Sequence, residues 1–309
     1  MILSGIDEAA LGPRLGPFCA VRTQFVIDEA VSSTPELYPL LEHLVAPRKD
    51  SSGRLAVGDS KTLFSSGRGL GTLERGVSAF LAAADVALPM TLKTLIGRLC
   101  PEGDLKDLLE MPWYADLERS IVPESEVSPG FRRDLEDRGI GVRPPGIRLV
   151  SARAFNRLLE REQGKSGAVR AVVGGLLTDV LETPKHRAGR VTVDRQGGRR
   201  YYGPWMAALA PGAPLRAEEE SQARSVYRMG ETTVEFLVGA DGFRMETALA
   251  SMFAKYLRER LMAHFNSWWR QRLPGLKPTA GYPFDARRFL EDLDRAGLSY
   301  RPEDMVRRL

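Results

Sequence analysis

The segment ILSGIDEAALGPRLGPFCAVRTQFVI, residues 2–27, places two adjacent carboxylates between two stretches of strand-forming residues. Residues 2–6 and 17–27 are rich in Ile, Val, Phe and Thr, and Gly or Pro borders them. The segment that joins them contains two glycines and one proline, which are typical of a loop. We therefore predict a β-hairpin whose first strand leads into Asp7 and Glu8.

The rest of the chain alternates between helical and extended patterns. Apolar spacing predicts helices at residues 72–84, 151–162, 168–182 and 247–273, and strands at residues 190–193, 224–229 and 233–239. Residues 86–98 show no firm periodicity. An opening hairpin followed by alternating helices and strands predicts an α/β fold with a mixed β-sheet flanked by helices.

The composition excludes several classes of protein. Hydrophobic residues make up 43% and charged residues 27% of the 309 residues, which is typical of a globular chain and not of a disordered, collagenous or coiled-coil one. Two cysteines are too few for a disulfide framework or a four-cysteine zinc site, and they suit a reducing, cytoplasmic setting. The sequence shows no transmembrane run and no signal peptide, so we expect no membrane association.

Positive charge is concentrated toward the C-terminus. The net charge is +4, with 44 basic and 40 acidic residues. Residues 254–309 hold 12 Lys and Arg against 7 Asp and Glu. Such a basic region is compatible with a phosphate-backbone partner and also with an ordinary solvated helical surface.

Carboxylates follow three of the predicted strands. Asp7 and Glu8 follow the first, Asp194 follows residues 190–193, and Asp241 follows residues 233–239. Neighbouring strand ends converge in an α/β sheet, and clustered carboxylates repel one another unless a cation lies among them. The pattern therefore indicates a site for Mg²⁺ or Mn²⁺, although four scattered surface acids would give the same pattern.

One geometrical condition applies to the first pair of carboxylates. Adjacent residues of a regular strand face opposite sides, so Asp7 and Glu8 reach one site only if the strand ends or twists there. The loop-forming segment Ala9–Gly16 provides such an ending.

Several motifs in order resemble those of the type 2 ribonuclease H family, also called ribonuclease HII. GIDEAALGPRLGP resembles the opening DEAGRGP motif, Asp59-Ser60-Lys61 resembles the DSK motif, and residues 191–194 resemble the strand that carries the third carboxylate. Ala240-Asp241, Ala250–Lys255 and Gly281-Tyr282 resemble three later motifs. We therefore identify the chain as a divergent relative with a ribonuclease H-like fold.

The resemblance implies an activity and its cofactors. Asp7, Glu8, Asp194 and Asp241 would be the catalytic, metal-binding residues and would hold two Mg²⁺ or Mn²⁺ ions about 4 Å apart. The implied enzyme is an endoribonuclease that cleaves the RNA strand of RNA–DNA hybrids and leaves 5′-phosphate and 3′-hydroxyl ends. We expect activity to rise with pH as these acids and the water that attacks phosphorus lose protons.

The resemblance also implies nucleic-acid contacts. These are Ala10, Leu11 and Gly12 in the first loop, together with Lys61, Lys255, Arg258 and Tyr282. Each of the three cations could equally be an ordinary surface charge, and Tyr282 could equally be a core residue.

The chain departs from the family in the loop that recognises the ribose 2′-hydroxyl. Ala10-Leu11-Gly12 replaces Gly-Arg-Gly, and Arg195 replaces the glycine that follows the third carboxylate. The substrate is therefore less certain than the chemistry. The alternatives are a nuclease of the same fold with a different nucleic-acid substrate, and a non-catalytic nucleic-acid-binding relative.

The resemblance also divides the chain. We predict a catalytic domain at residues 1–273, and a helical C-terminal extension of the same domain at residues 274–309. Residues 99–146, rich in Pro, Gly and acidic residues, are predicted as a surface insertion, and residues 201–232 as a second insertion. We expect a monomer.

Overall fold

The computed structural model describes residues 1–28, 30–31, 35–64, 69–124, 130–182 and 189–308. Its strands are β1 (Ile2–Ala9), β2 (Phe18–Ile27), β3 (Val45–Ala46), β4 (Leu55–Ala56), β5 (Met90–Thr91), β6 (Ile121–Val122), β7 (Ile140–Val150), β8 (Gly189–Asp194), β9 (Leu215–Glu220), β10 (Arg224–Met229) and β11 (Thr232–Leu237). Seven of them form one sheet in the order β7-β2-β1-β8-β11-β10-β9.

The central sheet mixes parallel and antiparallel strands. β1 and β2 form the predicted antiparallel hairpin, whereas β8 lies parallel to both β1 and β11. β10 returns antiparallel to β11, and β9 continues the sheet to its edge. The predicted mixed α/β sheet is therefore confirmed.

Helices cover both faces of the sheet. They are α1 (Leu37–Leu40), α2 (Ser60–Leu63), α3 (Gly71–Ala83), α4 (Leu92–Leu99), α5 (Glu102–Leu109), α6 (Phe131–Glu136), α7 (Ala152–Arg161), α8 (Lys165–Leu181), α9 (Gly203–Leu209), α10 (Met245–Arg272), α11 (Pro283–Arg295) and α12 (Pro302–Met305), with 3₁₀ turns at Pro112–Tyr114, Leu117–Arg119 and Ala240–Gly242. One apolar core lies between the sheet and α3 and α10, and a second lies between the sheet and α8. The four predicted helices and the helical C-terminal part are confirmed.

The long helix α10 begins in direct contact with β1. A β-carbon added to Gly5 would lie 2.2 Å from the carbonyl carbon of Glu246 and 2.3 Å from the nitrogen of Thr247. The Thr23 hydroxyl donates to the Glu246 carbonyl oxygen across 2.6 Å, which ties β2 to the same turn. The absence of a side chain at Gly5 therefore lets α10 pack against the middle of the sheet.

The segment predicted as a surface insertion contributes to both the sheet and the core. Residues 140–146 form the first part of β7, which pairs with β2 at the edge of the sheet. Trp113 and Leu117 are buried in the core that α10 covers. The segment is thus not confined to the surface, while the division at residue 273 stays a prediction.

The edge strand β7 contains two prolines, which explains why the sequence pattern did not predict a strand. Pro144 and Pro145 lie inside β7, and the pairing register with β2 shifts between Arg22 and Gln24 opposite them. Proline lacks the amide proton that an inner strand needs, so it is tolerated at edges and bulges. Helix α4 and strand β9 also lack a clear sequence pattern.

Two further expectations concern the setting of the protein. Cys19 and Cys100 are both free and buried. Among the residues that the structure describes, no helix combines the length and apolarity that crossing a membrane requires.

Candidate active site

The four predicted metal-binding carboxylates lie at the C-terminal ends of three central strands of the sheet. Asp7 and Glu8 lie near the end of β1, and Asp194 is the last residue of β8. Asp241 lies in the turn Ala240–Gly242, which follows β11. Since these three strands are adjacent and parallel, their C-terminal ends bring the side chains to the same place.

Strand β1 reaches past its parallel neighbour, which positions both Asp7 and Glu8. Pairing between β1 and β8 ends at Ile6 and Val193, whereas β1 stays paired with β2 as far as Ala9. The strand therefore does not end before the carboxylates, as the sequence suggested, but separates from β8 there. Both side chains interact electrostatically with the acids at the ends of β8 and β11.

Burial and mutual repulsion raise the pKa values of the clustered carboxylates. Burial, and then repulsion from Asp194, raise the pKa of Glu8 to about 7. Burial also raises the pKa of Asp194 to about 6, with repulsion from Asp241 adding to it, while the Ala240 N–H donates a 2.8 Å hydrogen bond that opposes the rise. Burial and the neighbouring acids raise the pKa of Asp7 as well.

Two polar side chains outside the predicted set line the cluster. The Ser251 hydroxyl lies beside Asp7, where it opposes the effect of burial on the pKa of that acid, and it lies 3.0 Å from the Ser60 hydroxyl. The Gln196 amide faces Glu8, yet its Nε2 is buried without a hydrogen-bond partner in the described chain. Ser251 lies in the Ala250–Lys255 motif, whereas nothing in the sequence indicates Gln196.

Lys61 is a cation beside the cluster, and its contact with a phosphate stays a prediction. Burial lowers the pKa of Lys61, but Asp241, Asp59 and Asp7 outweigh that effect and raise it. Asp59 caps α2 by accepting a 2.8 Å hydrogen bond from the Lys61 amide, and it contributes to the raised pKa of Asp241 after burial. Asp59 is therefore a fifth acid at the site, contributed by the Asp59-Ser60-Lys61 motif.

The two predicted phosphate-binding cations on α10 have different surroundings. Lys255 pairs with Glu259 at 2.8 Å and lies over the Phe64 ring. Arg258 is only 1% exposed and donates a 2.6 Å hydrogen bond to the Ala280 carbonyl oxygen. Arg258 is thus buried within the fold and not available to a phosphate, because it lies on a side of α10 that the C-terminal segment covers.

The loop after β1 is strained at Ala10, which stands where the resembled family has glycine. Ala10 has φ of 75°, in the left-handed region that disfavours residues with a β-carbon. The buried guanidinium of Arg307 donates to the carbonyl oxygen of Ala10 at 2.6 Å and also to that of Pro13. Burial lowers the pKa of Arg307 to about 9. The C-terminal segment therefore holds this loop from beneath.

Tyr282 lies at the same loop and is not a core residue. Its side chain is 51% exposed, and a β-carbon on Gly12 would lie 3.6 Å from its ring. Gly281, with φ of 85°, accepts a 2.7 Å hydrogen bond from the Arg14 amide, which joins the two segments. The predicted contacts at Gly12 and Tyr282 are therefore brought together, and Leu11 lies partly exposed beside them.

A buried ionic network supports the strands behind the cluster. Arg190 lies 3.1 Å from Glu246, and Arg244 lies 3.0 Å from Glu235. The Thr192 hydroxyl donates to Glu235 across 2.7 Å. These contacts connect β8, β11 and the start of α10, and no local sequence pattern indicates them.

The chemistry of the cluster suits a hard divalent cation. All its acidic donors are oxygens, and burial together with mutual repulsion raises their pKa values, an effect that a bound cation would oppose. Within the described ranges, however, no three His, Cys, Asp or Glu side chains already stand close enough to enclose an ion. Holding a metal therefore requires side-chain rotations.

The chain was compared with known proteins. No protein-family model matches it, and no curated protein matches it. Similar solved structures include the ribonuclease H2 from Pyrococcus horikoshii, which is 16% identical with a TM-score of 0.47 over 98% of this chain and 92% of that chain.

Two more similar structures belong to the same group. The ribonuclease HII of Archaeoglobus fulgidus, solved in a complex with PCNA, is 12% identical with a TM-score of 0.43 over 99% of this chain and 94% of that chain. Bst ribonuclease HIII in complex with Mn²⁺ is 13% identical with a TM-score of 0.46 over 99% of this chain and 66% of that chain.

Proposed function

We propose that this protein is a metal-dependent endonuclease that hydrolyses the RNA strand of RNA–DNA hybrids. The observation that carries the proposal is the convergence of Asp7, Glu8, Asp194 and Asp241 in one buried, mutually repelling cluster at the end of parallel strands. A cluster of this kind destabilises the fold unless a bound cation neutralises its negative charge.

The same four carboxylates would hold Mg²⁺ or Mn²⁺. When bound, divalent ions would supply activation of water and stabilisation of the charge that develops around phosphorus. Gln196 lies beside Glu8 and Ser251 lies beside Asp7, and Lys61 offers a positive charge to a phosphate oxygen beside the cluster. We expect 5′-phosphate and 3′-hydroxyl ends.

The choice of an RNA–DNA hybrid rests on the motif resemblance and on the first loop. Ala10 adopts the left-handed conformation that a glycine would adopt easily. The loop backbone therefore keeps its conformation although alanine replaces the glycine of the family. The loop and the exposed ring of Tyr282 lie side by side, where they would contact a sugar next to the cut.

Leu11 favours a second candidate substrate. It stands where the family has arginine, so a charged contact to the nucleic acid is lost. A nuclease that cuts another structured nucleic acid is consistent with that loss. A purely binding role is disfavoured, because four negative charges repel phosphate and would weaken binding.

A cleavage assay tests the proposal. The wild-type chain is incubated with labelled RNA–DNA hybrid, duplex DNA, duplex RNA and single strands, with Mg²⁺, Mn²⁺ or a chelator. We expect cleavage of the hybrid only with a divalent ion, and a loss of several orders of magnitude in Asp7→Asn. As a matched control, Asp116→Asn alters an exposed aspartate far along the chain and should cleave normally.

Hybrid cleavage by Asp7→Asn at the wild-type rate would refute the assignment of the cluster. Cleavage of another nucleic acid in preference to the hybrid would keep the nuclease and establish the alternative substrate.

A further inference from the structure

A groove opens beside the carboxylate cluster, between the first turn of α8 and the loop that follows β8. It has a volume of about 740 Å³. Its walls combine three cations, one aromatic ring and two aliphatic side chains: Lys165, Arg199, Arg200, Tyr201, Leu11 and Val169. None of the three cations belongs to the predicted nucleic-acid contacts.

The cations of the groove lack carboxylate partners. In the part of the chain that the structure describes, Lys165, Arg199 and Arg200 form no ion pair with an Asp or Glu side chain, whereas most arginines of α7 and α10 do. Arg199 donates a 3.3 Å hydrogen bond to the Ser166 hydroxyl. Positive charge therefore faces the groove without internal compensation.

The groove also offers flat and apolar surface. Tyr201 is 63% exposed, although aromatic side chains of this size usually pack against the protein. Leu11 and Val169 form the adjoining apolar wall. Uncompensated cations next to an exposed ring match a ligand that combines anionic groups with planar rings, as a nucleic-acid strand does.

The groove is continuous with the candidate active site. Gln196 lines the groove and faces Glu8, and its buried Nε2 is a donor without a partner in the described residues. Leu11 lines the groove and belongs to the loop that lies beside Tyr282. A strand with its scissile bond at the carboxylates would therefore extend directly into the groove.

We propose that this groove binds an unpaired nucleotide of the cleaved strand that flanks the cleavage position, with Lys165, Arg199 and Arg200 on its phosphates and Tyr201 against its base. The proposal rests on the proposed function and adds a specific binding subsite to it. The cations hold the strand in register, and the ring accepts any base, because every base offers a π-face. The subsite is thus independent of sequence.

Binding measurements test the subsite. A fluorescent RNA–DNA hybrid with a single-stranded RNA overhang is titrated with the 309-residue chain carrying Asp7→Asn, which leaves the hybrid intact, in the presence of Mg²⁺ and at several salt concentrations. In that protein we add Arg199→Ala, Arg200→Ala, Lys165→Ala or Tyr201→Ala. The matched control is Arg98→Ala, because Arg98 is an exposed cation on α4, whose buried residues belong to the core on the face of the sheet opposite α8, and it forms no ion pair among the described residues.

The two kinds of substitution should have different signatures. Each lost cation should weaken binding roughly fivefold and reduce the slope of log affinity against log salt concentration by about 1. Tyr201→Ala should weaken binding roughly tenfold and leave that slope unchanged, because stacking releases no counterions. Arg98→Ala should change neither quantity. Circular dichroism and melting curves confirm that each variant is folded.

The outcomes separate the subsite from the proposed function. If the groove variants bind as tightly as Asp7→Asn alone, with the same salt slope, the subsite is refuted even when the wild type cleaves the hybrid. If the groove variants lose affinity as expected but the wild type cleaves no nucleic acid, the subsite stands and the nuclease proposal fails. If a poly-glutamate peptide displaces the hybrid at equal concentration and binds without dependence on Tyr201, the groove serves an acidic protein and the subsite is refuted.

Discussion

Replacing Glu8 by glutamine removes one negative charge from the cluster and should stabilise the metal-free protein at high pH. The pKa of Glu8 rises from 4.5 to about 7 through burial first and repulsion from Asp194 second. A shift of this size corresponds to about 3 kcal/mol at roughly 1.36 kcal/mol per pKa unit. That free energy opposes folding whenever Glu8 is ionised.

The sign of the pH dependence follows from the raised pKa. The folded protein holds the Glu8 proton more tightly than the unfolded chain, so folding stability falls as pH rises from 4.5 to about 7. Below this range the destabilisation is absent, and above it the destabilisation is complete. Because Glu8→Gln cannot ionise, its advantage over the wild type should be small at pH 5 and should approach about 3 kcal/mol at pH 8.

Urea denaturation measures this difference. Wild type, Glu8→Gln and the control Glu291→Gln, which alters an exposed glutamate of α11, are unfolded at pH 5 and pH 8 with a chelator and again with Mg²⁺. Mg²⁺ should stabilise the wild type at pH 8 and reduce the advantage of the variant, because bound cation neutralises the repulsion. An equal advantage at both pH values, or no effect of Mg²⁺ on the wild type, would refute the account of the cluster.

Two further substitutions test the loop and the helix contact. Ala10→Gly/Leu11→Arg restores the loop that recognises the ribose 2′-hydroxyl in the resembled family, for which the resemblance also implies a preference for a lone ribonucleotide in duplex DNA. The change removes the strain of an alanine at φ of 75° and adds a charged contact worth up to about 3 kcal/mol, so it should increase the cleavage rate at a lone ribonucleotide relative to a continuous hybrid. An unchanged ratio of the two rates would place the specificity elsewhere. Gly5→Ala puts a β-carbon 2.2 Å from the Glu246 carbonyl carbon and should lower the free energy of unfolding by about 1–3 kcal/mol in urea denaturation. A stability equal to that of the wild type would show that α10 can move away from β1 at no cost.

The parts of the fold that depend on short-range pattern could be read from the sequence. Apolar spacing and bordering Gly and Pro predict the β1–β2 hairpin, β8, β11 and α10. Each of these patterns is contained in one continuous stretch of the chain. The sequence also predicted that Asp7, Asp194 and Asp241 lie close together, because the C-terminal ends of neighbouring parallel strands lie side by side. The pairing of β7 did not follow, since its two prolines are acceptable only at an edge, and the sequence does not say which strand is the edge.

The direction and partner of each polar side chain depend on contacts between distant segments. Arg258 has the sequence pattern of an exposed helix cation, yet the C-terminal segment covers it and offers it the Ala280 carbonyl oxygen. Arg307 reaches the Ala10 carbonyl oxygen across almost the whole chain. Lys165 and Tyr201 form one groove only because α8 and the loop after β8 pack together. Spacing along a chain carries no information about such long-range partners, so the acids of the site were predictable and their surroundings were not.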